Sequence, residues 1–270
     1  MHRCFASPEH WSGERVHLDA GEAHHLARVL RLASGDTVEV FDGAGRHARA
    51  VIVCASGRTG MELRLVEPPT AADPPLVDLL LIQAVPKADR MDWIIEKAVE
   101  LGVAAIQPVY TDRTVRRGEA QGAERRRERW ARIAREAAKQ CGAFRIPDVR
   151  TGVKYETALP DGAHCELFVV GALGPGRRPI GAVADEAASR GLRSAALLIG
   201  PEGDLTSDEL RRAEEAGAVP VTFGRQVLRV ETAAVFGVSV LMSAWLTRDW
   251  AGGAARQAQG TDGRAPSPDP

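Results

Sequence analysis

The chain has 270 residues, of which 44% are hydrophobic and 26% charged, a composition that is typical of globular proteins and excludes a wholly disordered chain. Its 35 Lys and Arg residues nearly balance 36 Asp and Glu residues, so the formal net charge is -1 and a nucleic-acid partner depends on where the charge lies. The four cysteines form no CxxC pair and no apolar leader begins the chain, so we predict no metal site and a cytoplasmic protein.

The first 70 residues have the pattern of a small β-barrel domain. Short segments of alternating polar and apolar residues are separated by tight turns, such as the Asp-Gly turn at residues 42–43. We predict one helix over residues 21–32 and strands over residues 36–43, 48–54 and 61–66. Prolines at positions 68, 69, 74 and 75 then predict a linker, which we place at residues 71–76.

Residues 77–248 alternate between apolar strands and amphipathic helices, which predicts an α/β domain with a mostly parallel sheet. We predict strands over residues 77–85, 103–109, 167–170, 195–199 and 219–223, and helices over residues 89–101, 124–141, 207–216 and 232–246. The apolar stretch 233–246 is too short to span a bilayer. Residues 249–270 are rich in Gly, Ala, Pro, Ser and Asp, and we predict a disordered tail.

Two glycine-containing segments follow predicted strands of this domain. The first, LLIGPEGDL at residues 197–205, runs from a buried strand through a Gly-Pro-Glu-Gly turn to a helix capped by Thr206 or Ser207. Ligands of open α/β sheets bind at the carboxyl ends of strands, where glycines let them approach the backbone. An ordinary βα turn fits the same residues.

The second segment, FGRQVLRVETAA at residues 223–234, places Arg229 and Glu231 directly before an apolar helix. Charged residues in such a position are costly unless they are paired or used. Glu231 could instead stabilise the helix dipole while Arg229 pairs with it. The chain has no GxGxxG after a strand and no P-loop, HExxH or GxSxG motif, which disfavours dehydrogenases, NTPases, zincins and α/β-hydrolases.

Together, LLIGPEGxL and GxxVLRxETA resemble the RsmE family, the 16S rRNA (uracil-1498-N3)-methyltransferases of the SPOUT superfamily. Further matches in order are HxxxVLR near residues 24–31, GDxxxxFDG at residues 35–43, K-x-x-KxxELG at Lys87 and residues 92–102, and EAxxQCGRxxxP at residues 136–147. The resemblance covers residues 1–247.

The resemblance implies a PUA-like RNA-binding β-barrel over residues 1–70 and a SPOUT methyltransferase domain over residues 77–248. That domain would contain a trefoil knot near residues 195–246, an exception to the usual absence of knots. The cofactor would be S-adenosylmethionine (SAM). The protein would be a homodimer that methylates N3 of a uridine in 16S rRNA of the small ribosomal subunit.

The resemblance also assigns roles to the residues of both motifs. Arg229 would stabilise charge on the uracil carbonyls, and Glu231 would act as a base or base-orienter or would only orient Arg229. The expected cofactor-binding residues are Ile199, Gly200, Pro201, Glu202, Gly203, Gly224, Val227, Leu228 and Thr232.

Basic residues concentrate at residues 113–150, which hold 12 basic and 5 acidic side chains. Such a run suits phosphate binding, although it also fits a solvated helix face. The expected RNA-binding residues are Arg3, His25, Arg28, Arg31, Lys87, Arg125, Arg126 and Arg145.

The chain departs from the family pattern at a few positions. Ala143 and Phe144 replace an arginine and a polar residue, Asp204 stands where a glycine is common, and Val230 replaces a threonine. Residues 171–173 lack the charges frequent in the first cofactor loop. Two alternatives stay open: another SPOUT RNA methyltransferase, acting on tRNA or a ribose hydroxyl, and a non-catalytic RNA-binding protein.

Overall fold

The structure, a computed structural model, describes residues 1–56, 60–114 and 122–261. The chain forms two compact units. The first unit comprises Met1–Pro75, Ile95–Ala104 and Gly122–Thr151, and the second comprises Leu76–Ile94, Ala105–Gln121 and Gly152–Pro270. The predicted linker coincides with the first of several points at which the chain passes from one unit to the other.

The strands and helices alternate as the sequence predicts over most of the chain. The strands are β1 (His2–Phe5), β2 (Trp11–Ser12), β3 (Arg15–Leu18), β4 (Thr37–Phe41), β5 (Arg46–Ser56), β6 (Gly60–Leu65), β7 (Thr70–Ala71), β8 (Asp78–Ala84), β9 (Ala105–Tyr110), β10 (Asp148–Val149), β11 (Val153–Lys154), β12 (Leu167–Gly171), β13 (Arg178–Pro179), β14 (Ser194–Ile199) and β15 (Val219–Thr222). The helices are α1 (Ala20–His24), α2 (Arg90–Glu100), α3 (Ala123–Cys141), α4 (Tyr155–Ala163), α5 (Ile180–Ser189), α6 (Ser207–Glu215) and α7 (Val230–Thr261).

The first unit is built on a sheet in the order β1-β4-β5-β6-β3-β2, with β7 added on β5. The predicted β4–β5 hairpin is confirmed, and its turn is held by Asp42 Oδ1, which accepts the backbone N–H groups of Ala44 and Arg46 at 2.8 and 3.0 Å. Alternate residues such as Val38 and Val40 point into a buried core. Residue 71 lies in β7, not in the linker, because Ala71 pairs with Arg46 on β5.

Two helices of the first unit differ in detail from the sequence prediction. α1 continues as one π-helical stretch over His25–Val29, so the predicted helix is present but irregular. α3 has the predicted bounds and ends at Gly142, whose φ of +86° suits glycine. Its Trp130 is buried, whereas Cys141 at its last position is exposed.

The second unit is a parallel sheet in the order β9-β8-β14-β12-β15-β13, with β11 added on β9. Its strands are buried on both faces, as continuous apolar runs predict. One face packs against α4 and α6, and the other against α5 and α7. α7 approaches β14 so closely that a Cβ at Gly237 would lie 2.7 Å from Leu197 Cδ2.

α7 is longer than predicted and contradicts the predicted disordered tail over residues 249–261. Its last turns contain Ala, Arg and Gln, which favour helix, and these outweigh the glycines at 252 and 253. Among the described residues, α7 is one helix that is long and apolar enough, by length and composition, to cross a membrane. The stretch concerned is Val230–Ala251, whose mean hydropathy is 1.5 and of which 44% is buried inside the structure. The apolar stretch at residues 233–246, on which the sequence prediction rests, is a part of this longer helix.

Candidate active site

Four loops of the second unit meet where parallel strands end. They follow β8, β12, β14 and β15, and β14 lies between β8 and β12 in the sheet. Their side chains and backbone enclose the sheet-edge cavity, which has a volume of about 480 Å³ and an open mouth. A site at the carboxyl ends of neighbouring strands is the expected ligand position in an open α/β sheet.

The Gly-Pro-Glu-Gly loop after β14 is held from outside the cavity by other loops. Glu202 Oε1 accepts the backbone N–H of Lys87 at 2.9 Å, and the Arg113 side chain donates to the Gly203 carbonyl at 2.5 Å. Asp204 occupies the left-handed region at φ +62°, where its Oδ1 accepts the N–H of Leu205 at 2.8 Å. Apart from glycine, asparagine and aspartate are the residues that tolerate this conformation best, which explains how Asp204 can replace the family's glycine.

The helix that follows this loop is capped as the sequence predicts. Thr206 is the N-cap, and its hydroxyl accepts the N–H of Glu209 while the Glu209 carboxylate accepts the N–H of Thr206. The other Glu209 oxygen accepts the N–H of Asp112 at 2.8 Å. Glu209 is only 3% exposed, so these bonds supply the partners that a buried carboxylate requires.

The loop after β15 forms the opposite wall of the cavity. Gly224 has φ +133°, a conformation that a side chain would strain, and Thr222 Oγ1 lies within hydrogen-bond distance of the Gly224 backbone. Val227 is 74% exposed, and Leu228 is half-buried against the cavity. This wall therefore offers apolar side chains to a ligand, as a planar heterocycle requires.

The charged side chains of the cavity differ from the expected pairing. Arg229 lines the cavity and is exposed, while Glu231 lies at the start of α7 with a side chain 19% exposed. Glu231 pairs with Arg90 at 3.7 Å, not with Arg229, so the alternative in which Arg229 pairs with Glu231 is wrong. Arg229 precedes α7 and Glu231 lies two residues further along the chain, so their side chains do not face each other, whereas Arg90, the first residue of α2, reaches Glu231.

Most of the expected cofactor-binding residues come together. Those that line the cavity are Ile199, Gly200, Pro201, Glu202, Gly224, Val227 and Leu228. Gly203 and Thr232 do not line it, because Gly203 faces the Arg113 side chain and Thr232 is exposed beyond the cavity wall.

The predicted cofactor-binding residues omit several residues that line the cavity, among them Arg90 and Phe223. Arg90 stands outside both motifs, and its only signal was its position just after a predicted strand end. Phe223 and residues 171–173 also line the cavity. Gly171 packs against the ring of Phe223, where a Cβ would lie 2.8 Å from the ring carbons. The glycine that opens the loop after β12 was therefore a usable signal.

The expected RNA-binding residues of the first unit divide into engaged and free side chains. Arg3 pairs with Glu39 at 2.5 Å, and Arg145 donates to the backbone carbonyls of Ala44 and Ala72 at 2.6 and 3.3 Å. Arg28 and Arg31 are exposed, with no hydrogen bond or ion pair to another side chain in the described part of the chain. The barrel arginines 28 and 31 are thus better placed for phosphate than Arg3 or Arg145.

The remaining expected RNA contacts lie elsewhere. Lys87 is exposed on the loop after β8, in the second unit, and Arg125 is exposed on α3. Arg126 and His25 are half-buried. The basic run extends through residues 115–121, which lie outside the described residues.

Phe144, a departure from the family pattern, has a packing role within the first unit. Its ring stacks on His47 with centroids 3.7 Å apart and planes 2° apart, and the Arg3 guanidinium lies 5.3 Å from its centroid. The position therefore supplies an aromatic contact where the family has a polar side chain.

Comparison with known proteins places this fold and cavity in one family. An RNA methyltransferase domain matches residues 73–242, and an RNA methyltransferase PUA domain matches residues 18–64. The ribosomal RNA small subunit methyltransferase E of Mycobacterium bovis is 34% identical over 236 residues, which cover 84% of this chain and 87% of the relative. The corresponding Bacillus subtilis protein is 28% identical over 222 residues, covering 82% and 86%.

A solved structure agrees with this assignment. The ribosomal RNA small subunit methyltransferase E from Neisseria gonorrhoeae, crystallised with S-adenosyl methionine, has a TM-score of 0.79 and 31% identity, covering 91% of this chain and 98% of that chain. The fold is thus the SPOUT type, with a PUA-like domain preceding the methyltransferase domain. The chain belongs to the ribosomal RNA small subunit methyltransferase E family.

Proposed function

We propose that this protein transfers a methyl group from SAM to N3 of one uridine in 16S rRNA of the small ribosomal subunit, at the position numbered 1498 in the family's name. The observation that carries the proposal is the sheet-edge cavity, in which both family motifs meet at the ends of β14 and β15. The enzyme would act in the cytoplasm on RNA.

The residues of the cavity fit SAM in size and chemistry. A volume of about 480 Å³ lies within the roughly 300–1,000 Å³ range of small-molecule sites. Gly200 and Gly224 carry no side chain, so an adenine can approach the cavity wall closely there, and Leu228 offers an apolar surface to its face. Glu202 Oε1 already accepts two donors, so a ribose hydroxyl would bond to the remaining oxygen, Oε2.

When bound, SAM supplies an electrophilic methyl group on a sulfonium, and transfer leaves a neutral thioether. The protein therefore has to hold N3 of the uracil in line with that methyl group. Arg229 lies at the exposed side of the cavity, where its guanidinium would stabilise the negative charge that develops on the uracil carbonyls as N3 loses its proton.

Glu231 lies behind the cavity wall, and its contact is the Arg90 guanidinium. We therefore assign Glu231 an orienting role and not direct contact with N3. The N3 proton would leave to water at the open mouth of the cavity. The base has to be unpaired or flipped out of its helix, since Watson–Crick pairing covers N3.

RNA would be held by basic side chains of both units. Arg28 and Arg31 on the first unit and Lys87 on the second are exposed cations suited to phosphate. We also propose a homodimer and a trefoil knot near residues 195–246. The dimer is supported by apolar side chains that α7 leaves exposed, since Phe236, Leu246 and Trp250 are 39%, 56% and 77% exposed.

The test is nucleoside mass analysis of 16S rRNA from a strain lacking the gene, with and without its restoration. Loss of N3-methyluridine and its return on complementation are expected. An unchanged N3-methyluridine content in the deletion strain would refute the proposal. Methylation of purified small subunits and of free 16S rRNA in parallel would then identify which form is the substrate.

A further inference from the structure

Arg90 joins two parts of the cavity that are far apart in the sequence. Its Nη1 lies 3.3 Å from Glu202 Oε1 and 3.7 Å from Glu231 Oε2. Glu202 belongs to the loop after β14, and Glu231 belongs to the first turn of α7. One guanidinium from the start of α2 therefore contacts a carboxylate of each motif.

We propose that Arg90 is a positioning residue of the methyl transfer, which fixes the loop after β14 and the start of α7 in the arrangement that binds SAM and aims Arg229. The identity of the ligand rests on the proposed function. The position of Arg90 between the two carboxylates does not.

The burial of the Glu231 carboxylate shows why this contact matters. Glu231 Oε2 is buried and makes no hydrogen bond, and Arg90 is its ion-pair partner in the described part of the chain. A carboxylate oxygen removed from water is costly unless a positive group lies nearby. Arg90 therefore differs from an exposed surface pair, whose loss changes little.

The backbone before Arg90 is strained in a way that serves the same contact. Ala88 has φ +58°, a left-handed conformation that disfavours a side chain. Ala88 lies between Lys87, whose N–H donates to Glu202 Oε1, and Arg90, which contacts the same oxygen. Strain of this kind persists where surrounding contacts determine the conformation, and it is concentrated at functional sites.

The geometry makes a distinct prediction for lysine at this position. Arginine presents several donors on a rigid plane, so it can face two carboxylates at once, whereas a lysine ammonium is a point charge on a flexible stem. Without a cation, Glu202 and Glu231 would face each other as two negative charges and the two loops would separate.

The first experiment is a double-mutant cycle on the single-turnover methylation rate, with saturating SAM and small subunits from the deletion strain. Arg90→Met should lower the rate about 10- to 100-fold in the wild-type background but about threefold or less in the Glu231→Gln background, because the two residues act as one unit. Arg90→Lys should retain an intermediate rate. Equal losses in both backgrounds would overturn the proposal.

The second experiment needs no methylation. Calorimetry with SAM alone measures SAM affinity in a double-mutant cycle of Arg90→Met and Glu202→Gln. We expect each single change to lower SAM affinity about 5- to 10-fold, and the double change to lower it by no more than about the larger single effect. If the loss of SAM affinity in the double variant equals the product of the two single losses, the residues act independently and the proposal is contradicted. Melting temperatures of all variants identify any that fail to fold, and Arg90→Lys then replaces Arg90→Met.

Arg211→Met is the matched control, since the ion-pair partners of Arg211 among the described residues are Asp208 and Glu215, on the exposed face of α6. It should leave the rate and SAM affinity unchanged. The two proposals can fail separately. If the wild-type protein binds SAM and the calorimetric cycle shows coupling between Arg90 and Glu202, but no 16S rRNA is methylated, the proposed function is refuted while the role of Arg90 is supported.

Discussion

Lys139 donates a hydrogen bond to the Glu22 carboxylate at 2.8 Å, although 117 residues separate them in the chain. Both side chains are nearly buried, at 9% and 6% exposed. Lys139 lies on α3 and Glu22 on α1, so the contact joins a helix from the middle of the chain to the N-terminal sheet. It is one physical reason why residues 122–151 belong to the first unit.

Replacing Lys139 by Met should destabilise the protein by about 3–5 kcal/mol, because it leaves the buried Glu22 carboxylate without its cation. Urea unfolding followed by circular dichroism measures the change. The control is Glu136→Gln, which removes the other partner of Lys139 at 2.7 Å. Glu136 is 54% exposed, so its loss should cost no more than about 1 kcal/mol. Equal costs for both changes would contradict this account.

The same pair predicts a dependence of stability on alkaline pH. Burial by itself lowers the pKa of Lys139, but hydrogen bonds to Glu136 and Glu22 outweigh it and hold the pKa above its ordinary value of 10.5. A raised pKa in the folded state stabilises the protein fully below the unfolded value and ceases to do so as the pH rises through the folded value. The stability difference between wild type and Lys139→Met should therefore be constant near neutral pH and fall above pH 10.5. A difference that falls between pH 6 and pH 8 would contradict the assignment.

Leu228→Asp should abolish SAM binding while leaving RNA binding nearly intact, because it places a charge on the apolar wall of the sheet-edge cavity. Calorimetry with SAM measures the first effect and fluorescence anisotropy with an rRNA fragment the second. Val53→Asp, at an exposed position of β5, is the control and should change neither. Unchanged SAM affinity in Leu228→Asp would show that the ligand does not use this wall.

Gly200→Val should also abolish SAM binding, but through the loop itself. A Cβ at Gly200 would lie 3.1 Å from Leu205 Cγ and 3.3 Å from the Leu205 nitrogen, so the side chain has to displace the turn. The expected mark of this mechanism is a lower melting temperature together with the lost affinity. A fully stable Gly200→Val protein without SAM binding would instead place the valine in the ligand's own space.

RNA affinity should depend strongly on salt, and the free arginines of the first unit should account for part of that dependence. Each phosphate contact removed should lower the slope of log affinity against log salt by about 0.7–0.9. Replacing Arg28 and Arg31 by Ala tests the barrel, and Arg125→Ala tests α3. Arg127 pairs with Glu124 and should contribute less. If the slope is unchanged both in the Arg28 and Arg31 variant and in Arg125→Ala, these side chains do not contact the RNA phosphates.

Arg229→Ala should behave differently from those variants. It should lower the methylation rate at saturating RNA by about 10²-fold, as loss of a group that stabilises transition-state charge does, with little change in the salt slope. Single-turnover kinetics at several salt concentrations separates the two effects. If the whole effect disappears at saturating RNA, Arg229 binds the substrate and does not stabilise the transition state.

The sequence alone was sufficient for the elements whose apolar period is strong. The strands β8, β12 and β14 and the helices α2, α3 and α6 lie where the pattern predicts them, and Gly102 and Gly217 end helices with positive φ as expected. These are local properties, because hydrophobic period, caps and glycine freedom act within a few residues.

Two helices of the second unit were missed for different reasons. α5 carries Ile180, Val183 and Ala184 at helical spacing, so the signal was present. α4 contains Pro160, which indicates a loop, but Tyr155 at its start is buried and its hydroxyl donates to the Glu209 carbonyl at 2.8 Å. Tertiary packing there outweighs local preference.

The sequence by itself indicated two of the loops that form the cavity, those after β14 and β15, because strand ends and glycine turns are local features and parallel strands bring their carboxyl ends to one edge. Only the tertiary structure decided how the charges pair and which segments share a unit. Glu231 meets Arg90 instead of Arg229, and Lys139 meets Glu22, since electrostatic partners depend on distance in space and not along the chain. No local pattern encodes that distance until the sheet and helices have packed.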